Sequence, residues 1–181
     1  MHTADGPRVL LRPALDADGE SLLGLNLASE AVLSPLTAAR LASLIGQAWY
    51  QRVACLDGHV QAFLIALGPG ADYDSPNYRW FAQHYDDFVY VDRVVVAAPA
   101  RQAGLASLLY EDLMASARAG GIARITCEVD IEPPNAASLR FHERFGFAQV
   151  GTQWVAGGKK RVSLRELPLG LPGARPAGHS A

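Results

Sequence analysis

The stretch from Val94 to Ala106, VVVAAPARQAGLA, limits the fold more than any other part of the chain. Three β-branched residues, Val94, Val95 and Val96, favour an extended strand, and Pro99 prevents its continuation. Arg101, Gln102, Ala103, Gly104, Leu105 and Ala106 follow with no β-branched side chain among them. Leu105, Leu108, Leu109, Asp112, Leu113 and Ser116 then recur at helical spacing. A strand thus passes through a small-residue turn into a helix. The first amides of such a helix have no partner within it and carry the positive end of its dipole. Little side chain stands in front of them, so an anion such as a diphosphate can approach. The same residues also suit an ordinary strand-to-helix turn.

One glycine is too few for the dinucleotide fingerprint, and the Gly-Lys-Ser/Thr ending of a P-loop is absent. The segment resembles the pyrophosphate loop of the GNAT superfamily of acyl-CoA-dependent N-acetyltransferases, whose pattern Gln/Arg-x-x-Gly-x-Gly/Ala is filled by Arg101, Gly104 and Ala106. A second segment, Glu128 to Phe147, resembles the other half of the same family's cofactor site. Asn135, Ser138, Phe141, Gly146 and Phe147 stand at the family's spacing, about 30 residues after the loop. The resemblance covers most of the chain and is tight from Phe88 to Phe147. It is nearest to a subset of GNAT acetyltransferases of unassigned substrate with Pro-Pro-Asn and Phe-His in these places.

The resemblance implies an α/β (α+β) GNAT fold, a mixed central sheet of about seven strands with about four helices on both faces. It implies acetyl-CoA as co-substrate, bound by the backbone of Val94, Val95 and Val96, by the loop residues Arg101, Gln102, Ala103, Gly104, Leu105 and Ala106, and by Asn135, Ser138 and His142. It further implies acetyl transfer to a primary amine of a small molecule or peptide, by direct attack in a ternary complex. Many members have Tyr where this chain has His142, and that Tyr is taken to protonate the departing thiolate. Histidine can also donate a proton, with an unperturbed pKa of about 6.5. An acyl-CoA-binding sensor with little turnover is the alternative that this departure leaves open.

At 181 residues the chain is long enough to bury a core, and it reads as a single domain over 1–167 followed by a Pro/Gly-rich, flexible tail at 168–181. The net charge of −2 gives no support to a nucleic-acid partner. Lys159, Lys160 and Arg161 form the one basic cluster, which suits a solvated hairpin end. Cys55 and Cys127 lack metal-site spacing and read as small core residues of a reducing compartment. The first residues have no apolar core of a signal peptide, and no stretch reaches the length of a membrane span. These readings point to a cytoplasmic protein without metal, and homodimerisation is left open.

The elements alternate. Strands are expected at 8–12, 52–56, 60–67, 88–96, 123–129, 147–155 and 161–167, with hairpin turns at Asp57-Gly58 and Gly157-Gly158. Helices are expected after an Asp16 cap, from Ser34-Pro35 to about Trp49, from Gly104 to about Arg118, and from Ser138 to Phe145. The segment 68–87 carries four aspartates and several aromatics; it suits either an acceptor-lining loop or a flap docked on the core.

Amine attack on a thioester needs a base for the amine's proton, stabilisation of the thiolate and a donor for the oxyanion. Asp92 is the preferred base, because burying a carboxylate in so apolar a strand is costly unless it is paired. Asp92 shares a face with Tyr90, Val94 and Val96, and a structural partner on a neighbouring strand is the other reading. Glu128 ranks below it. His142 is either the thiolate's acid or a packing residue. Asn26, Glu30, Tyr78, Trp80 and Phe81 are the candidates for acceptor binding.

Overall fold

The computed structural model of the chain describes residues 8–29 and 33–170. The strands are β1 (Val9–Arg12), β2 (Ala48–Leu56), β3 (His59–Leu67), β4 (Val89–Val96), β5 (Arg124–Glu132), β6 (Ala148–Val155) and β7 (Lys160–Pro168). The helices are α1 (Gly19–Leu27), α2 (Ala38–Gln47), α3 (Pro76–His84), α4 (Leu105–Ala119) and α5 (Ala136–Arg144). The sheet order is β1-β2-β3-β4-β5-β7-β6, with β4 parallel to β5 and antiparallel pairs at β1–β2, β5–β7 and β6–β7. Among the described residues this is a mixed seven-stranded sheet with five helices, close to the seven strands and about four helices expected. Among the described residues no helix is long and apolar enough to cross a membrane. The part of the expected tail from 171 onward lies outside the described residues.

The chain divides into two compact units, Met1–Ala66 with Arg93–Leu113, and Leu67–Asp92 with Met114–Ala181. In the first, β2 turns into β3 through Asp57 (φ 50°) and Gly58 (φ 85°), the left-handed pair that a two-residue hairpin requires. Leu22, Leu44, Val53, Phe63, Leu105 and Leu109 are buried. Two helix starts differ from expectation. Asp16 lies in a 3-10 turn (Asp16–Asp18) ahead of α1, where Asp18 is the engaged acid: it accepts from Arg12 at 2.6 and 2.9 Å and from the Leu15 amide at 2.8 Å. α2 starts at Ala38, not Pro35, because Thr37 caps it by accepting from the Arg40 amide at 3.1 Å. α2 also ends at Gln47, with Trp49 already in β2.

In the second unit the segment 68–87 is no plain loop. It contains α3, capped by the Ser75 hydroxyl, with Pro76 as the first helical residue. Tyr78, Phe81 and Tyr85 form the buried face of this segment; Tyr78 meets Phe88 and Tyr90, and Phe81 meets Tyr90. The Tyr78 hydroxyl donates to the Gly68 carbonyl at 2.8 Å and accepts from the Ala71 amide at 2.9 Å, closing the segment on itself. Trp80 lies against Gly151 of β6, where an added Cβ would stand 3.0 Å from the indole.

Candidate functional site

Two groups of residues are candidates for the chemistry, one in each unit. In the first unit the end of β4 leads through a 3-10 turn (Ala98–Ala100) into α4. The Ala97 amide is anchored on the Gln61 carbonyl at 2.8 Å. The Tyr50 hydroxyl donates to Asp112 at 2.7 Å and so ties α4 to β2. Between these anchors Arg101, Gln102, Ala103 and Gly104 are exposed, while Leu105 is buried. Gly104 adopts φ +74°, and among the described residues a Cβ built there would meet nothing within 4 Å beyond its own chain neighbours. Glycine is therefore required by the backbone and not by crowding.

Val95 is buried, and Val94 and Val96 are half-buried. On the same strand, β4 pairs with β5 at Val89 opposite Ile125 and Tyr90 opposite Thr126. Asn26 is buried, accepts from Arg93 at 2.7 Å and donates to the Ser34 carbonyl at 3.2 Å. Glu30 lies outside the described residues.

The second group, in the other unit, gathers around Glu128. The Tyr90 hydroxyl donates to its carboxylate at 2.7 Å, and Asn77 of α3 also bonds it. The Tyr73 hydroxyl donates to Asp92. Gln153 of β6 donates to the Asn77 side-chain oxygen. Burial and then the nearby charge of Asp92 push the Glu128 carboxyl up to about 7, against the opposing hydrogen bonds from Tyr90 and Asn77. Burial and the same two carboxylates push the Tyr90 phenol far above its ordinary value, so it stays a donor. Burial and then the charge of Glu128 likewise keep the Cys127 thiol protonated, which disfavours a thiolate nucleophile. The structure thus brings together two of the expected catalytic residues, Asp92 and Glu128. It adds Tyr73, Tyr90 and Asn77, which sequence reasoning did not single out for the chemistry; the shared parity of Tyr90 and Asp92 was the one available signal.

The remaining expected residues have other surroundings. Tyr78 and Phe81 lie in the core instead of on an acceptor surface, since they occupy the buried face of α3. Trp80 is half-buried and stacks on His84 at 3.7 Å. Asn135 caps α5 by accepting from the Ser138 amide at 3.1 Å. His142 is 4% exposed and packs edge-on against Phe141 and Phe147. Its Nδ1 donates to the Ser138 carbonyl at 2.8 Å, and burial lowers its pKa to about 4. The ring is therefore neutral at ordinary pH.

Comparison with known proteins agrees with this architecture. The acetyltransferase (GNAT) family model matches residues 38–147. The ribosomal-protein-S18-alanine N-acetyltransferase of Escherichia coli superposes with a TM-score of 0.70 at 17% identity, covering 93% of this chain and 99% of that one. The Salmonella typhimurium protein yncA, solved with its cofactor acetyl-CoA, gives a TM-score of 0.70 at 18% identity, covering 94% and 99%. Arabidopsis thaliana Naa50, in complex with a bisubstrate analogue of CoA and a peptide, gives 0.67 at 16% identity, covering 88% and 97%.

Proposed function

Because the chain belongs to the acetyltransferase (GNAT) family of acyltransferases, we propose that it moves the acetyl group of acetyl-CoA to a primary amine of a small molecule or peptide by direct attack. The observation that carries this reading is Glu128, a carboxylate held by Tyr90 with a proton affinity near neutrality. A base poised there can accept a proton from an ammonium at working pH and be regenerated by solvent.

The residues divide the work. The loop from Arg101 to Ala106 and the first turn of α4 hold the pyrophosphate through backbone amides. Glu128 accepts the acceptor's proton, directly or through water, and frees the lone pair that attacks the thioester carbonyl. The carbon–sulfur bond then breaks and the thiolate leaves. An ordinary thiol has a pKa of about 8.5, so the departing sulfur needs no charged acid, which accords with a neutral His142. The buried, protonated Cys127 favours direct transfer over an acyl-enzyme.

Release of free CoA from acetyl-CoA, followed with a thiol-reactive dye across a panel of amines and peptide N-termini, tests the proposal. Turnover that is lost in Glu128→Gln while CoA affinity is kept supports it. Tight CoA binding without turnover on any acceptor returns the chain to the sensor reading.

A further inference from the structure

Granting Glu128 the part of the base, as proposed above, a second carboxylate, Asp92, has no part yet in the proposed reaction. β4 and β5 run parallel with Tyr90 opposite Thr126. Asp92 follows Tyr90 by two residues, and Glu128 follows Thr126 by two. The pleat therefore sends both carboxylates to the same face. Each has its own phenol: Tyr73 donates to Asp92, and Tyr90 donates to Glu128 at 2.7 Å. The two phenol rings lie 6.4 Å apart.

The other groups around Glu128 carry little net charge toward it. Asn77 from α3 is neutral. Cys127, its neighbour on β5, keeps its proton. Asp130, two residues along the same face of β5, is paired with Lys160 of β7 at 2.9 Å. On β7, Leu164 is the register partner of Glu128, and Arg165 pairs with Cys127 on the opposite face and bonds Glu143 at 3.1 Å. Asp92 is the group whose charge bears on Glu128.

We propose that Asp92 is a positioning residue that acts through Glu128: anchored by the Tyr73 hydroxyl, its negative charge makes Glu128 the stronger base, so that Glu128 takes the acceptor's proton. When the proton arrives, the charge of the pair falls from two to one and the repulsion between the carboxylates is relieved. Tyr73 belongs to the segment ahead of α3, so this segment tunes the base as well as covering the sheet.

The test is carboxyl-carbon NMR titration of Glu-labelled protein, in which the Glu128 signal is identified by its loss in Glu128→Gln. Asp92→Asn removes the neighbouring charge, and the Glu128 midpoint should fall by about one pH unit, a tenfold drop in proton affinity. Tyr73→Phe removes the hydroxyl that shares Asp92's charge, and the midpoint should move the opposite way by a smaller amount. Thermal melts establish that each variant is folded. An unchanged midpoint in folded Asp92→Asn, or shifts of the same sign in both variants, overturns the proposal. The titration needs no acceptor, so it stands apart from turnover: normal catalysis by Glu128→Gln would instead overturn the assignment of the base.

Discussion

Tyr90 of β4 donates a 2.7 Å hydrogen bond to Glu128 of β5, a contact between strands whose own register pairs Tyr90 with Thr126. The bond holds the Glu128 carboxyl down against the burial that pushes it up. Tyr90→Phe should therefore raise it above its value of about 7. The acidic limb of the kcat/KM profile should move up by about one pH unit, with the alkaline rate preserved. A profile that does not move would separate Glu128 from the proton transfer.

Gly104 holds φ +74° in front of α4. Gly104→Val imposes a β-branched side chain on that conformation and fills the space before the amides. CoA affinity, measured by calorimetry, should fall at least tenfold, or about 1.4 kcal/mol. Equal affinity in a folded variant would remove the loop from the cofactor site.

Burial of Glu128 has a sign for stability. Its carboxyl rises from 4.5 to about 7 on folding. Below 4.5 both states hold the proton and folding carries no penalty; between 4.5 and 7 the folded state alone keeps it, so stability falls across that interval and the loss is complete above 7, where the folded state must charge a half-buried group. The full effect is at most about 3 kcal/mol. Glu128→Gln should be more stable than wild type in urea at pH 8, and the gap should close near pH 4.

His142 works in the other direction. Its pKa falls from 6.5 to about 4 on folding. Its contribution is fully present above 6.5 and is lost as pH falls toward 4, again at most about 3 kcal/mol. His142→Leu gives up the bond to the Ser138 carbonyl, which is worth about 1 kcal/mol. It should nonetheless lose less stability than wild type between pH 7 and pH 4.5, as measured by urea unfolding. An acid slope equal to that of wild type would show that the ring is not held neutral.

Features set by neighbours along the chain were legible in the sequence. The passage from Val96 to Leu105 depends on local backbone preferences, and so do the turns at Asp57-Gly58 and Gly157-Gly158. The Ser-Pro pair shows where local reading stops. It occurs at Ser34-Pro35 and at Ser75-Pro76, and only the second begins a helix. Ser34 is drawn instead to Arg93, 59 residues away, and to Asn26, partners that no local pattern reveals. The base shows the same limit. Strand parity places Tyr90 beside Asp92, but Tyr90 meets Glu128 across 38 residues, and that contact requires β4 and β5 to be paired. By sequence Tyr78 and Phe81 suit pocket or core equally well; α3 turns them inward.

Glu128 and His142 lie in the same unit and are both largely enclosed, one an acid that folding makes harder to ionise and the other a base that folding makes harder to charge. In proton uptake they offset each other. Between about pH 4.5 and 6.5 folding gains up to one proton at the carboxylate and forgoes up to one at the imidazole. As far as these two groups decide it, the folded protein is indifferent to acidity across that interval. A chain that kept the base and exchanged the histidine for an apolar residue would instead grow steadily less stable as the pH rose through it.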